Sequence, residues 1–219
     1  MSEEPTLQLD VGKSLAYRVV AGLIVVLSKI LFRPRVTGAE NIPLTGPVLI
    51  APIHRSNVDF AFTLFISPRK VFFMAKDPLF KVPLFGTLLR HLGAFPVHRG
   101  AADRESITLS EEVLRQGHAL VLFPEGTRKD GPNVDTLHDG AMFVAARTAA
   151  MVVPVGIGGS DRAMPHGARI PRPARVRVIV GAPISPPVSE GRVSRSSVTA
   201  KSEELREKLQ AVYRESLKG

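Results

Sequence analysis

The sequence predicts an α/β domain with a mostly parallel central sheet flanked by helices, preceded by an N-terminal helical segment that associates with membranes. Short apolar runs alternate with longer amphipathic segments along residues 35–219, the pattern that strands and crossover helices leave in a sequence. Residues 15–32 are apolar almost all the way round a helix, which is more than one packing face requires. His54, Arg99 and Glu125 each follow a predicted strand, and ligands of parallel sheets bind outside the carboxyl ends of strands.

The elements can be justified in order. Residues 15–32 form the first helix, and Arg33-Pro34-Arg35 breaks it, because proline has no N–H and blocks the helical conformation of the residue before it. Pro47-Val48-Leu49-Ile50-Ala51 reads as a buried strand, with a helix over 57–66 and a second strand over 71–74. Pro78 opens a helix over 77–89, and residues 93–97 form a short strand. Residues 103–116 are helical, with Asp103 and Glu105 in the first turn and Gly117 as the stop. A strand over 119–123, a helix over 141–149 and a strand over 152–157 continue the alternation. Residues 175–180 alternate like an edge strand, and 183–197, rich in Pro and Ser, form a surface connection. Leu205, Leu209, Val212 and Tyr213 recur at helical spacing, so the last helix docks by one face.

The first helix carries Arg18 and Lys29, and its longest charge-free run, 19–28, is half of the roughly 20 residues a spanning helix needs. It is therefore expected to lie in the interface with its basic ends at the headgroups. A core helix packed on the domain is the competing reading. No small-residue cleavage site follows, so no secretory signal peptide is expected. Residues 1–34 are assigned to an interfacial membrane-binding helix and 35–219 to the α/β domain.

Composition narrows the chemistry. The chain has 219 residues, enough to bury one full core, and 44% of them are hydrophobic. It has no cysteine, which excludes disulfides, thiolate metal sites and a cysteine nucleophile. A net charge of +9 favours anionic partners: nucleic acid, an anionic bilayer or phosphorylated substrates. With no Trp and only two Tyr there is no exposed stacking platform for single strands, so nucleic acid is not expected. There is no Gly-x-Ser-x-Gly elbow and no Walker A sequence, and the six histidines lack metal-ligand spacing, so no metal is expected.

Two segments carry the chemistry. In Ile53-His54-Arg55-Ser56-Asn57-Val58-Asp59 an imidazole and a carboxylate stand five residues apart. An unperturbed imidazole titrates at about 6.5, so His54 can accept a proton from an alcohol. A carboxylate on its other nitrogen fixes the tautomer and stabilises the imidazolium, a role open to Asp59. The same stretch matches a capping box, Ser56 to Asp59, and one Asp can serve both purposes. In Phe123-Pro124-Glu125-Gly126-Thr127-Arg128, Arg128 can hold phosphate oxygens bidentately, as can Arg99. Glu125 is expected to orient Arg128 or to accept a bond from a substrate hydroxyl. Gly126 lets the turn approach a ligand, and Thr127 offers a hydroxyl.

These two segments, with Gly93-Ala94-Phe95-Pro96-Val97-His98-Arg99 between them and Val152-Val153-Pro154-Val155-Gly156-Ile157 after them, resemble the four ordered blocks of the glycerolipid acyltransferase family. The resemblance spans residues 36–184 and is strongest to the 1-acylglycerol-3-phosphate acyltransferases. It implies that Lys76 is a basic residue near the oxyanion or the phosphate. Two departures stand out: Ile53 replaces the family's usual Asn before the histidine, and His138-Asp139 stands where a lysine commonly precedes Gly-Ala.

The resemblance implies transfer of a fatty acyl group from acyl-CoA, or from an acyl carrier protein, to the free hydroxyl of lysophosphatidic acid. His54 and Asp59 are then catalytic; Lys76, Arg99, Glu125, Gly126, Thr127 and Arg128 are substrate-binding. No cofactor and no obligate protein partner is implied, and the enzyme is expected on the cytoplasmic face of the membrane, peripheral or monotopic. Alternatives are another acceptor, glycerol 3-phosphate or a lysophospholipid, and a non-catalytic lipid-binding protein.

Overall fold

The computed structural model describes residues 15–67, 69–97, 102–187 and 193–218. Its helices are α1 (Leu15–Phe32), α2 (Asp59–Ile66), α3 (Asp77–Phe80), α4 (Pro83–His91), α5 (Ala102–Arg115), α6 (Gly140–Thr148), α7 (Ser160–Ala163) and α8 (Arg195–Ser216). Its strands are β1 (Arg35–Thr37), β2 (Val48–Pro52), β3 (Val71–Lys76), β4 (Ala94–Val97), β5 (Ala119–Val121), β6 (Met151–Gly158) and β7 (Arg177–Val180). The strands form one sheet in the order β1-β7-β6-β2-β5-β3-β4. Every neighbouring pair is parallel except β6 with β7.

The expected α/β architecture is present, and the differences from the sequence reading have local causes. The helix expected over 77–89 is two helices, split at Lys81-Val82 because Pro83 starts a new helix at its first position. β1 was not anticipated: three residues are too few to show a period. Its presence makes β7 an internal strand, flanked by β6 and β1, although its alternation had suggested an edge. α8 begins at Arg195, inside the stretch expected to be surface connection, where the Ser194 hydroxyl accepts a bond from the Ser197 N–H at 3.4 Å.

The all-apolar β2 is fully buried because both of its faces are covered, as parallel strands require. Pro154 sits within β6 without disrupting it. Its carbonyl accepts from Gly181 N–H at 2.9 Å, just past the last paired residue of β7, so the absent N–H costs only the return bond at the end of that ladder. α5, α6 and α8 pack side by side, and α8 lies along β6 and β7. It buries Leu205, Leu209 and Tyr213, as their spacing predicted. α1 packs against α2 and α4, with Tyr17 and Phe32 buried and Phe32 edge-on to Phe62.

The seat of α8 depends on two glycines. A Cβ on Gly156 or Gly158 would collide with the backbone of α8 at Val212 or Ser216. Gly158→Ala should therefore lower stability by about 1–3 kcal/mol, the usual cost of forcing extra volume into a packed contact. A urea unfolding curve measures it, and an unchanged midpoint would show that α8 does not rest on β6 this closely.

Candidate active site

β2 ends at Pro52 and the chain turns sharply before α2 begins at Asp59. The turn is organised around one carboxylate oxygen. Asp59 Oδ2 accepts from the backbone N–H of Arg55 and of Ser56, both at 2.7 Å, and lies 3.0 Å from His54 Nδ1. The bond from Ser56 N–H is the return half of the expected capping box, so one buried oxygen builds the turn and holds the imidazole. The Ser56 hydroxyl goes elsewhere, donating to the Met164 carbonyl at 2.9 Å and tying the turn to the segment after α7.

An oxygen already accepting from two N–H groups offers the imidazole an acceptor. His54 therefore carries its proton on Nδ1 and keeps a lone pair on Nε2. The His54 ring stacks on Phe123 at 4.1 Å between centroids, and its side chain is 21% exposed against 0% for Asp59. The carboxylate is sealed, and the base reaches the surface.

The residue the sequence reading passed over is Arg55. Its guanidinium is buried and bonds both oxygens of Glu125, at 2.7 and 3.2 Å. It also donates to the carbonyls of His54, Gly131 and Asn133, and it lies over the Tyr213 ring at 5.1 Å. Glu125 further accepts from the N–H of Asp135 at 3.2 Å and of His54 at 3.4 Å. Glu125 is 1% exposed and its carboxylate bonds Arg55, with no bond to Arg128 among the described residues. The usable signal was Arg55 itself, a charge set between a strand and a helix in a segment that otherwise folds inward.

The remaining expected residues fall as follows. Gly126 has φ 70°, and a Cβ there would press on the His138 ring. Its freedom serves a tight turn under a side chain, and His138 stands beside the turn. Thr127 is exposed. Arg128 is half-buried and makes no ion pair or side-chain hydrogen bond among the described residues, unlike Lys129, which pairs with Asp135 at 2.9 Å. Lys76 closes β3, and its side chain lies outside the described positions, as does Arg99 altogether. The hexapeptide is joined to the histidine turn by Lys129 N–H donating to the His54 carbonyl at 3.0 Å. The structure thus brings together His54, Asp59, Arg55 and Glu125 at the carboxyl ends of β2 and β5, with Arg128, unpartnered among the described residues, nearby in the chain.

Residues 33–158 match the family model described as Acyltransferase. The chain is 30% identical over 157 residues to the chloroplastic 1-acyl-sn-glycerol-3-phosphate acyltransferase LPAT1 of Arabidopsis thaliana, covering 70% of this chain and 44% of that protein. It is 27% identical over 196 residues to the 1-acyl-sn-glycerol-3-phosphate acyltransferase of Bacillus subtilis, covering 88% and 94%. It thus spans less than half the length of the plant relative and nearly all of the bacterial one. Among solved structures it resembles the 1-acyl-sn-glycerophosphate (LPA) acyltransferase PlsC from Thermotoga maritima. The TM-score is 0.71 at 26% identity, over 89% of this chain and 77% of that one.

Removing one partner of a buried ion pair leaves the other charge uncompensated, at a cost of about 3–5 kcal/mol. Arg55→Met should destabilise the protein by that amount in chemical denaturation. Arg55→Met combined with Glu125→Met should recover only part of the loss, because the backbone groups of His54, Gly131, Asn133 and Asp135 that the pair also bonds lose their partners. A single variant as stable as the parent would show that the pair does not brace the site.

Proposed function

The chain belongs to the Acyltransferase family, and from that premise we propose that it transfers a fatty acyl group from a thioester to the free hydroxyl of lysophosphatidic acid, giving phosphatidic acid. The observation that carries the reading is the His54–Asp59 pair, sealed on the carboxylate side and open at Nε2. Nε2 accepts the hydroxyl proton as the oxygen attacks the thioester carbonyl. Asp59 holds the ring in that tautomer and stabilises the imidazolium. Collapse of the tetrahedral intermediate breaks the carbon–sulfur bond, and the thiolate takes the proton back from His54. With no cysteine in the chain, no thioester forms on the enzyme. Acyl-CoA is the donor we favour over an acyl carrier protein; no cofactor enters the scheme.

Arg128 is assigned to the acceptor's phosphate because its guanidinium, with no internal partner among the described residues, is free to take a phosphate oxygen, and Arg99 is assigned beside it on the family resemblance. Lys76 and Thr127 are assigned to the same pocket, while Glu125 acts through Arg55.

The enzyme is assigned to the membrane surface. Leu15, Val19, Leu23, Val26, Leu27 and Ile30 all project from α1 into solvent, opposite the side that packs on the domain. No helix among the described residues is long and apolar enough to cross a membrane. A helix with one apolar side on the domain and another facing outward suits a bilayer interface.

His54→Ala should lower turnover by about 10²-fold to 10⁴-fold with little change in substrate binding, and Asp59→Asn should slow it through the wrong tautomer. Thiol release from acyl-CoA with lysophosphatidic acid measures both, and parent-like turnover by His54→Ala would remove the mechanism. Arg128→Ala should raise the acceptor KM by about 10-fold to 100-fold, matching a charged hydrogen bond of ~1.5–3 kcal/mol. A defect confined to the donor KM would reverse the pocket assignment. Replacing Leu23, Val26 and Leu27 by Ser leaves the packed side of α1 intact. At ~1 kcal/mol or more for each side chain, it should weaken binding to anionic liposomes by at least about 100-fold. Unchanged sedimentation with liposomes would defeat the anchoring.

A further inference from the structure

Arg33, Arg35, Arg175 and Arg177 line one cavity of about 240 Å³, with Val176 between the last two. Arg35 and Arg177 are paired across the parallel β1–β7 ladder, so their side chains share one face of the sheet. None of the four guanidinium groups makes an ion pair or a side-chain hydrogen bond among the described residues. No acid is close in sequence either: residues 11–39 and 162–189 contain neither Asp nor Glu. Arg33 complements the negative end of α1, which accounts for one of the four. The other three form no ion pair among the described residues, and planar guanidinium groups gathered in this way fit phosphate oxygens.

The sheet's one reversal places this cluster. β7 and β1 run against the other strands, so their beginnings lie where the others end. Arg177 is opposite Gly158, three residues beyond Val155, and Val155 is level with Pro52 of β2. The arginines therefore stand on the same edge of the sheet as His54, two to three strand spacings away, about 10–15 Å. The cluster is also fastened to α1. Ala174 N–H donates to the Leu31 carbonyl at 3.1 Å and Val176 N–H to the Phe32 carbonyl at 3.0 Å, so the cavity abuts the end of the helix that carries the outward apolar stripe.

We propose that this cavity binds the phosphate of an anionic bilayer lipid and so turns the His54 edge of the sheet towards the membrane. The apolar stripe of α1 beside it argues for a phosphate that arrives with an acyl layer, in preference to the nucleotide phosphates of acyl-CoA. The inference rests on the reading that the chain works at a bilayer, but the vesicle measurement that tests it does not depend on catalysis.

The full chain is sedimented with vesicles of phosphatidylcholine alone and of an equimolar mixture of phosphatidylcholine and phosphatidylglycerol. A basic residue at an anionic surface is worth about fivefold in partitioning. Arg35→Gln with Arg177→Gln should thus lower binding to the mixed vesicles by about 25-fold and leave binding to phosphatidylcholine unchanged. Arg33→Gln with Arg175→Gln, both outside the strands, should do the same, so a folding defect in the first pair does not stop the test. Arg195→Gln with Lys208→Gln removes equal charge from α8 and should lose much less. An equal loss in that control would show general charge attraction and overturn the site. A raised KM for acyl-CoA with a soluble acceptor, at unchanged vesicle binding, would make the cavity a donor site and overturn the lipid assignment. Unaltered vesicle binding in both pairs would overturn it as well.

Discussion

Arg55 and Glu125 meet where neither is solvated, and the geometry of the site follows from that meeting. Arg55 comes from the turn after β2 and Glu125 from the loop after β5, so their bidentate pair fixes two adjacent strand ends relative to each other. A buried pair is tolerable only when its remaining donors are satisfied. Here the guanidinium bonds the carbonyls of Gly131 and Asn133, and the carboxylate accepts from Asp135, so the loop over 125–135 is wrapped around the pair. The Tyr213 ring under the guanidinium and the Gln210 amide, which bonds Val134 and Pro132, connect the same loop to α8.

The imidazole is positioned by consequence. Arg55 is adjacent to His54, and its backbone N–H is one of the bonds that set Asp59 Oδ2. Holding Arg55 from below therefore also holds the oxygen that orients the base. Phe123 stacks against one face of the ring, and Nε2 makes no hydrogen bond among the described residues. A general base works only when its reacting nitrogen is within reach of the substrate proton, and this arrangement limits the imidazole to one orientation.

A second constraint is the reversal at β6–β7. Had β7 and β1 run parallel to β6, Arg35 and Arg177 would lie at the far edge of the sheet. Because they turn back, the end of α1, the arginine cavity and the His54 turn share one edge. The Ser56 hydroxyl on the Met164 carbonyl links the histidine turn to the segment that leads into β7. Base, apolar helix and basic cavity thereby lie along one edge of the sheet.

The sequence by itself determined the alternating α/β order, the burial of β2, the one-sided docking of α8 and the pairing of His54 with Asp59, because each is a local pattern of period, cap or short spacing. It also placed Glu125 beside the site. It could not assign Glu125 a partner, since Arg55 is 70 residues away and the choice between Arg55 and Arg128 depends on which side chain is buried with the carboxylate. For the same reason β1 and the internal position of β7 were not legible: a three-residue strand shows no period, and strand neighbours are set by long-range pairing. The arginine cavity likewise joins residues 33–35 to 175–177, which only the antiparallel return of the chain brings together. Local chemistry is written in adjacent residues; which buried charge meets which, and which edge of the sheet a cluster occupies, is decided by tertiary packing.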